Sequence, residues 1–132
     1  MPKTFILEDS HNRMVLFYEI LGSDSITAAK TVRKAREKYD PPYDLMLLDH
    51  DLADEDYARP EKEDGTGTEF VRWLVASQDP QQVTKVIIHS FNHAGRERMF
   101  RDLSEAGWDV ANIPFGLTLL DRLRAGSANP LE

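Results

Sequence analysis

Polar side chains follow three short apolar runs of the sequence directly. The three polar groups are Glu8-Asp9, Asp49-His50-Asp51 and His89-Ser90. Carboxylates, imidazoles and a hydroxyl are the side chains that bind cations, transfer protons and hydrogen-bond to phosphate. A hydrophobic core alone gives no reason for three runs to end in this way, so we interpret the three groups as parts of one functional site.

The carboxylates of this set predict a divalent cation. Asp9 and Asp49 are the main candidates for ligands, and Glu8 and Asp51 are the further ones. Carboxylates brought together repel one another, and a hard cation with oxygen ligands relieves that repulsion, which favours Mg²⁺ or Mn²⁺. The alternative is that these acids only solvate strand ends or cap helices.

The histidines His50 and His89 are candidates for general acid–base catalysis, because imidazole exchanges protons near neutral pH. Side-chain alternation within a regular strand would place His50 on the side opposite Asp49 and Asp51. If the chain already turns at the strand end, the direction of His50 stays open. The alternative for each histidine is a structural role, with its ring bonded to the backbone.

The segment 90–96 has the features of a phosphate-binding helix start. Asn92 is placed to cap the helix, and Arg96 lies one turn further along. Free N–H groups and the helix dipole favour an anion there, and an arginine can bind two phosphate oxygens at once. We therefore expect Ser90, Asn92 and Arg96 to contact phosphate, with Arg13 of the first helix reaching the same pocket. Ordinary capping and surface ion pairing are the alternative.

The elements that must position these residues alternate between strands and helices. Apolar runs predict strands at 5–7, 25–27, 43–48, 85–88 and 108–113. Helical spacing predicts helices that end at Gly22, span 28–39, follow a capping box at 66–69, run between Asn92 and Gly107, and span 117–123. This order predicts an α/β fold with a parallel sheet and helices on both faces. Ligands of such sheets bind beyond the carboxyl ends of the strands, where all three polar groups would meet.

Composition limits the functions that the chain can have. Its 132 residues fit one domain over 1–132, and no cysteine is present for disulfides or thiolate zinc sites. No secretory signal or membrane span is visible, so we expect a cytoplasmic protein without a membrane partner. The net charge is −7, and the segment 51–64 holds seven acids against two bases. An extended nucleic-acid duplex is therefore not expected as a partner, whereas a phosphate-containing small ligand or an RNA end is compatible.

The chain resembles the response-regulator receiver family over nearly its whole length. Glu8-Asp9 matches the acidic pair after the first strand of that family, Asp49 its phosphoacceptor, and Ser90 its Ser/Thr after the fourth strand. The resemblance implies a flavodoxin-like three-layer sandwich, with a five-stranded parallel sheet of order 2-1-3-4-5 and Mg²⁺ bound by the matching acids. One departure is that Ile113 stands before Pro114, where the family has a lysine that contacts the phosphoryl group.

More narrowly, the chain resembles the cyclic-phosphate-processing receiver domain, a family derived from receivers. The motifs are Leu48-Asp49-His50-Asp51-Leu52, Gly65-Thr66-Gly67 before a helix with Trp73-Leu74, and Ile88-His89-Ser90-Phe91-Asn92 with Gly95-Arg96 and Met99. This resemblance implies a metal-dependent phosphoesterase-like activity on cyclic phosphate ends of RNA or nucleotides, in repair or conflict systems.

Asp49, His50 and His89 would then be catalytic. Hydrolysis by an activated water is the expected route, and attack by Asp49 to give an aspartyl phosphate is the second. The competing hypothesis is an atypical receiver that serves as a regulatory or protein-interaction module without the standard phosphorelay. A third is metal or nucleotide binding without turnover.

Overall fold

The computed structural model of the protein describes residues 3–52 and 66–126. Strands and helices alternate along these residues, as the sequence predicts. The strands are β1 Thr4–Leu7, β2 Ile26–Ala29, β3 Tyr43–Leu48, β4 Val83–Ile88 and β5 Val110–Asn112. The helices are α1 His11–Leu21, α2 Val32–Lys38, α3 Gly67–Ser77, α4 His93–Glu105 and α5 Leu117–Gly126, with short 3₁₀ turns at Ser23–Ser25 and Pro80–Gln82.

The five strands form one parallel sheet in the order β2-β1-β3-β4-β5, which confirms the predicted fold. In the register of the sheet, Leu7 pairs with Leu48, and Leu48 pairs with Ile88. The last residues of β1, β3 and β4 therefore lie in one row. Whatever follows these three strands starts from the same edge of the sheet.

Each face of the sheet carries its own apolar core, because successive side chains of a strand point to opposite faces. Phe5 and Leu7 of β1 belong to the core under α2, α3 and α4, whereas Ile6 belongs to the core under α1 and α5. On β3, Met46 and Leu48 follow the first pattern. This alternation produces a three-layer sandwich. It also determines the face of the sheet to which each side chain at a strand end points.

The second strand and second helix differ from the boundaries predicted from the sequence. Ala28 and Ala29 lie in β2, paired with Ile6 and Leu7, and not in a helix that spans 28–39. The helix α2 begins only at Val32, because the Thr31 side chain accepts a hydrogen bond from the N–H of Lys34 and caps it there. Alanine favours helices intrinsically, but sheet pairing overrides that weak preference.

The acidic segment 51–64 and Gly65 lie outside the described residues, apart from Asp51 and Leu52. Within residues 3–52 and 66–126, no helix is both long and apolar enough to span a bilayer.

Candidate functional site

Glu8, Asp49 and His89 are the first residues after β1, β3 and β4, and their side chains emerge on the same face of the sheet. The last residue of each of these strands packs into the core under α2, α3 and α4. The next side chain therefore points to the opposite face, where α1 and α5 lie. His89 accordingly packs edge-on against Phe17 of α1, with the ring centres 5.5 Å apart.

The carboxylate of Glu8 binds three partners in the interior. Its Oε1 lies 2.9 Å from Nε2 of His89, and both side chains are fully buried. Its Oε2 accepts a hydrogen bond of 3.0 Å from the backbone N–H of Ser10, the residue that caps α1. Arg13, one turn into α1, donates to Oε1 at 3.3 Å. These contacts fix the carboxylate at the entrance of α1.

The guanidinium of Arg13 connects this buried pair to Asp49. Its Nη1 lies 3.3 Å from Glu8 and 3.7 Å from Oδ2 of Asp49. The guanidinium carbon also lies over two aromatic rings, 4.7 Å from the centre of Phe91 and 4.8 Å from that of Phe115. Rings on an arginine hold it by cation–π attraction, so the cation stays beside the carboxylates. We call Glu8, Asp49, His89 and Arg13 the carboxylate site.

The pKa values of the two carboxylates of this site are shifted in opposite directions. Burial raises the pKa of Asp49 first of all, and the charge of Glu8 raises it further, to about 6, against the lowering effects of His89, Ser90 and Arg13. Burial also acts to raise the pKa of Glu8, but the hydrogen bond and charge of His89, the Ser10 N–H and Arg13 together lower it to about 2. At neutral pH both carboxylates are therefore ionised although they lie close together. Their mutual repulsion shows mainly as the raised pKa of Asp49.

The carboxylate site has the donor atoms that a divalent cation requires. One ligand atom each from Glu8, Asp49 and His89 lies within 4.8 Å of the other two. Two carboxylates and an imidazole suit Mn²⁺, and carboxylates with water suit Mg²⁺. Asp9 and Asp51, which the sequence adds as ligands, are not members of this group. Of the ligands predicted from the sequence, this group contains Glu8 and Asp49, and His89 is its third member.

His50 and Asp51 form a second polar cluster on the other face of the sheet, together with Asn92. Nδ1 of His50 lies 2.9 Å from Oδ1 of Asp51, and the amide of Asn92 donates to the same oxygen at 3.1 Å. The chain therefore turns directly after Asp49, so that Asp51 lies with His50. The sequence left open whether the chain turns at this strand end, and the structure shows that it does. The Asn92 amide also lies 3.3 Å from Nδ1 of His50, and Nε2 is buried with no hydrogen-bond partner among the described residues.

Two glycines allow the helices to approach this turn closely. The N–H of Gly67 donates to the carbonyl of His50 at 2.8 Å, and a Cβ on Gly67 would collide with the carbonyl oxygen of Asp49. A Cβ on Gly95 would lie 2.5 Å from ring carbons of His50. Since α3 begins at Gly67 and Gly95 lies in the first turn of α4, the first turns of both helices fix the position of the Asp49–His50 backbone and of the His50 ring.

The predicted phosphate-binding residues of the segment 90–96 hold the loop itself together. Ser90 is buried, and its Oγ accepts from the N–H of Asn92 at 3.0 Å. Asn92 caps α4 as predicted, through Oδ1 and the N–H of Gly95. Arg96 donates from Nη1 to the carbonyl of Ser90 at 2.8 Å. Of the four residues expected to bind phosphate, two lie beside Asp49: Arg13, with Nη1 3.7 Å away, and Ser90, whose hydrogen bond acts to lower the pKa of Asp49.

Sequence reasoning missed the aromatic setting of Arg13. In the sequence Phe91 is part of a family motif but has no assigned role, and in the structure it is 64% exposed. Phe115 follows the position where the receiver lysine is absent, and its N–H donates to the carbonyl of His89 at 2.8 Å. Neither residue lies in a periodic pattern, so only their positions after β4 and β5 offered a signal.

The comparisons with known proteins agree with this geometry. The family model of the cyclic-phosphate processing receiver domain matches residues 4–105. A sequence comparison with curated proteins finds no match. Among solved structures, a response regulator from Colwellia psychrerythraea is similar with a TM-score of 0.64, at 18% identity over 95% of both chains. The response regulator DrrB, an OmpR/PhoB homolog from Thermotoga maritima, has a TM-score of 0.61 at 20% identity, over 97% of this chain and 53% of its own. These similarities show the receiver fold.

Proposed function

Because the chain belongs to the family of cyclic-phosphate processing receiver domains, we propose that it hydrolyses cyclic phosphate ends of RNA or nucleotides at the carboxylate site. One observation carries the proposal: Arg13 lies 3.3 Å from Glu8 and 3.7 Å from Asp49, beside three donor atoms that fit a divalent cation. A cation-binding group next to an arginine is the combination that phosphodiester hydrolysis uses.

Glu8, Asp49 and His89 would hold Mg²⁺ or Mn²⁺, and Asp9 stays a predicted further ligand. When bound, such a cation polarises a phosphoryl oxygen and lowers the pKa of a bound water. The raised pKa of Asp49 supports this assignment, since burial and the charge of Glu8 raise it, and a bound cation would offset both effects. His89 is sealed from solvent by Phe17 and by its bond to Glu8, so its role is to position that carboxylate or to ligate the cation.

Arg13 would bind the non-bridging oxygens of the cyclic phosphate and offset the charge that develops there as water attacks. The new bond joins the water oxygen to phosphorus, and the bond from phosphorus to one ring oxygen breaks. The product is a phosphate monoester beside a free hydroxyl. Asp49 as the nucleophile is the second route, in which water then hydrolyses the aspartyl phosphate.

His50 is the histidine that we assign to proton transfer. Its Nδ1 lies 2.9 Å from Asp51, whose side chain is 63% exposed, whereas its Nε2 is buried. The proton of the attacking water would therefore reach the His50 ring through Asp51 and Nδ1. The leaving oxygen would be protonated from solvent.

The test is the hydrolysis of 2′,3′-cyclic nucleotides and of RNA with a cyclic phosphate end, in Mg²⁺, in Mn²⁺ and in EDTA. We expect turnover by the wild type with a cation, and a loss of about a hundredfold or more in Arg13→Gln, the usual effect of removing a group that stabilises developing charge. Arg101→Gln is the matched control, because Arg101 is exposed on α4. Equal rates in both variants would remove Arg13 from the mechanism.

The second candidate function is an atypical receiver that regulates or binds a protein partner. The observation in its favour is that Asp49 and Ser90 interact as the phosphoacceptor and hydroxyl positions of receivers would, since a Ser90 hydrogen bond acts on the pKa of Asp49. Against phosphorylation-driven switching stands Ile113, in place of the receiver lysine.

A further inference from the structure

The burial of apolar surface on folding does not explain the position of the Phe91 side chain. Its ring is 64% exposed, whereas Tyr18, the next most exposed large aromatic of the described chain, is 38% exposed. A phenylalanine contributes to folding by removing its ring from water, which this one does not do. It lies between β4 and α4, directly after Ser90, at the carboxyl edge of the sheet where ligands of such folds bind.

One face of the Phe91 ring is occupied by a cation. The guanidinium carbon of Arg13 lies 4.7 Å from the ring centre. Because the ring is nevertheless mostly exposed, its other face is open to solvent. The contact with Arg13 therefore fixes the orientation of the ring. A ligand that stacks on the open face would then cause little further loss of side-chain entropy.

The same guanidinium connects the ring to the carboxylate site, since it also contacts Glu8 and Asp49. A ligand whose phosphate is bound by Arg13 would have its adjoining portion next to Phe91. The portion that matches an exposed aromatic face is flat, aromatic and largely uncharged. A nucleobase joined to a cyclic phosphate through its ribose has both parts in this order.

We propose that Phe91 is the stacking platform for the nucleobase of the terminal nucleotide whose cyclic phosphate lies at Arg13. This inference rests on the proposed function and deepens it, because it assigns the substrate to nucleotides in place of other cyclic phosphates. Every nucleobase has a π face, so the platform binds a nucleotide end without selecting one base. Contacts to the phosphate would position the nucleotide, and stacking of its base on Phe91 would add binding affinity.

The experiment compares two ligands that share a five-membered cyclic phosphate: 2′,3′-cyclic AMP, which has a base, and glycerol 1,2-cyclic phosphate, which has none. Dissociation constants are measured by NMR titration in Mg²⁺ for the wild type, Phe91→Ala, Phe91→Trp and Leu117→Ala. Leu117 is the control, since it is 77% exposed on α5. Hydrolysis of both ligands is followed in parallel by ³¹P NMR.

We expect Phe91→Ala to weaken binding of 2′,3′-cyclic AMP by about tenfold to a hundredfold, the usual effect of one lost base–aromatic stack. Binding of glycerol 1,2-cyclic phosphate should be unchanged, Phe91→Trp should retain nucleotide binding, and Leu117→Ala should resemble the wild type. Equal weakening for both ligands would mean that Phe91 acts only through Arg13, and the platform would be wrong. It would also be wrong if Phe91→Ala changed self-association on size-exclusion chromatography but not nucleotide binding.

The failure of the platform can be told apart from failure of the proposed function. A wild type that binds and hydrolyses both ligands equally well keeps the proposed function and overturns the platform. A wild type that binds the nucleotide through Phe91 without hydrolysing either ligand keeps the platform and overturns the proposed function. Absence of binding to both ligands overturns both.

Discussion

Nε2 of His89 lies 2.9 Å from Oε1 of Glu8, although 81 positions separate the two residues in the sequence. Their strands, β4 and β1, flank β3, so the pair spans the strand that carries Asp49. Both side chains are fully buried. A buried carboxylate without such a partner is very costly, so the pair is what allows Glu8 to remain ionised beside a second carboxylate.

The first prediction is that His89→Leu destabilises the protein by about 3 kcal/mol at pH 7, since it leaves the Glu8 charge buried without its main partner. The folded-state pKa of Glu8 is lowered from 4.5 to about 2, so its contribution to the free energy of unfolding is complete above pH 4.5 and is lost as the pH falls toward 2. The deficit of His89→Leu should shrink over the same interval. Urea denaturation at pH 7 and at pH 3 measures it.

A double mutant supplies the control for this prediction. Glu8→Gln in combination with His89→Leu removes the buried charge and should recover part of the lost stability at pH 7. A deficit that is the same at both pH values and is not recovered by the second substitution would assign it to packing against Phe17 instead.

The second prediction is that Asp49→Asn stabilises the protein in EDTA at pH 7 by about 1–3 kcal/mol. Burial and Glu8 raise the folded-state pKa of Asp49 from 3.8 to about 6. Protonated Asp49 therefore contributes fully to the free energy of unfolding below pH 3.8, and this contribution is lost as the pH rises through 6. At pH 7 the ionised side chain destabilises the folded state. Asparagine avoids this cost and still accepts the hydrogen bond from the N–H of His50.

Thermal unfolding of Asp49→Asn and the wild type between pH 4 and pH 8 tests this expectation. The advantage of the variant should be present at pH 7 and disappear near pH 4. Asp121→Asn, on the exposed surface of α5, should show no such trend. A variant that is less stable than the wild type at pH 7 would contradict the raised pKa of Asp49.

The parallel sheet and its site edge were predictable because they depend on strong patterns, whereas the strand order 2-1-3-4-5 was implied by the resemblance to receivers. Tyr43–Leu48 is almost continuously apolar, as a strand buried on both faces must be, and its predicted bounds are those of the structure. Glu8, Asp49 and His89 could be gathered at one edge because each follows such a run. The pairing of Glu8 with His89 was not predictable, since it depends on register across β3.

Predictions failed where a local preference competed with a tertiary contact. Ala28 and Ala29 favour a helix in isolation but pair with β1 in the sheet. Asp51, a predicted metal ligand, contacts His50 at the turn held by Gly67 and Gly95, a direction of the chain that the sequence left open. The exposed position of Phe91 left no periodic signal at all.

The third prediction concerns Gly95, which leaves room for the His50 ring. In Gly95→Ala the new Cβ would lie 2.5 Å from ring carbons of His50, so the ring must move and lose its bond to Asp51. We expect hydrolysis of 2′,3′-cyclic AMP to fall by about tenfold or more, less than the loss of about a hundredfold or more from removing a proton-transfer group. The ¹⁵N chemical shifts of His50 report the tautomer of its ring, and they should change as the bond to Asp51 is lost.

Gly116→Ala is the matched control, because a Cβ at Gly116 meets no atom within 4 Å. It should leave both the rate and the His50 signals unchanged. If Gly95→Ala lowers the melting temperature but keeps the rate and the tautomer, then Gly95 matters for packing only.

The fourth prediction separates the two candidate functions. Acetyl phosphate should give little long-lived aspartyl phosphate, because Ile113 replaces the lysine that contacts the phosphoryl group in receivers. Intact-mass spectrometry after incubation with acetyl phosphate and Mg²⁺ measures the adduct. A stable, stoichiometric phosphoryl group on Asp49 would favour the regulatory module over the hydrolase.

The most direct measurement is ³¹P NMR of 2′,3′-cyclic AMP incubated with the wild type, Asp49→Asn and His50→Gln, each with Mg²⁺, Mn²⁺ or EDTA. We predict that the cyclic phosphate resonance of the wild-type sample is replaced by a monoester resonance only when a cation is present. Both variants should remain folded and be slower by about a hundredfold or more. A cyclic phosphate signal that persists in the wild type with either cation, or equal rates in the wild type and Asp49→Asn, would contradict hydrolysis at this site.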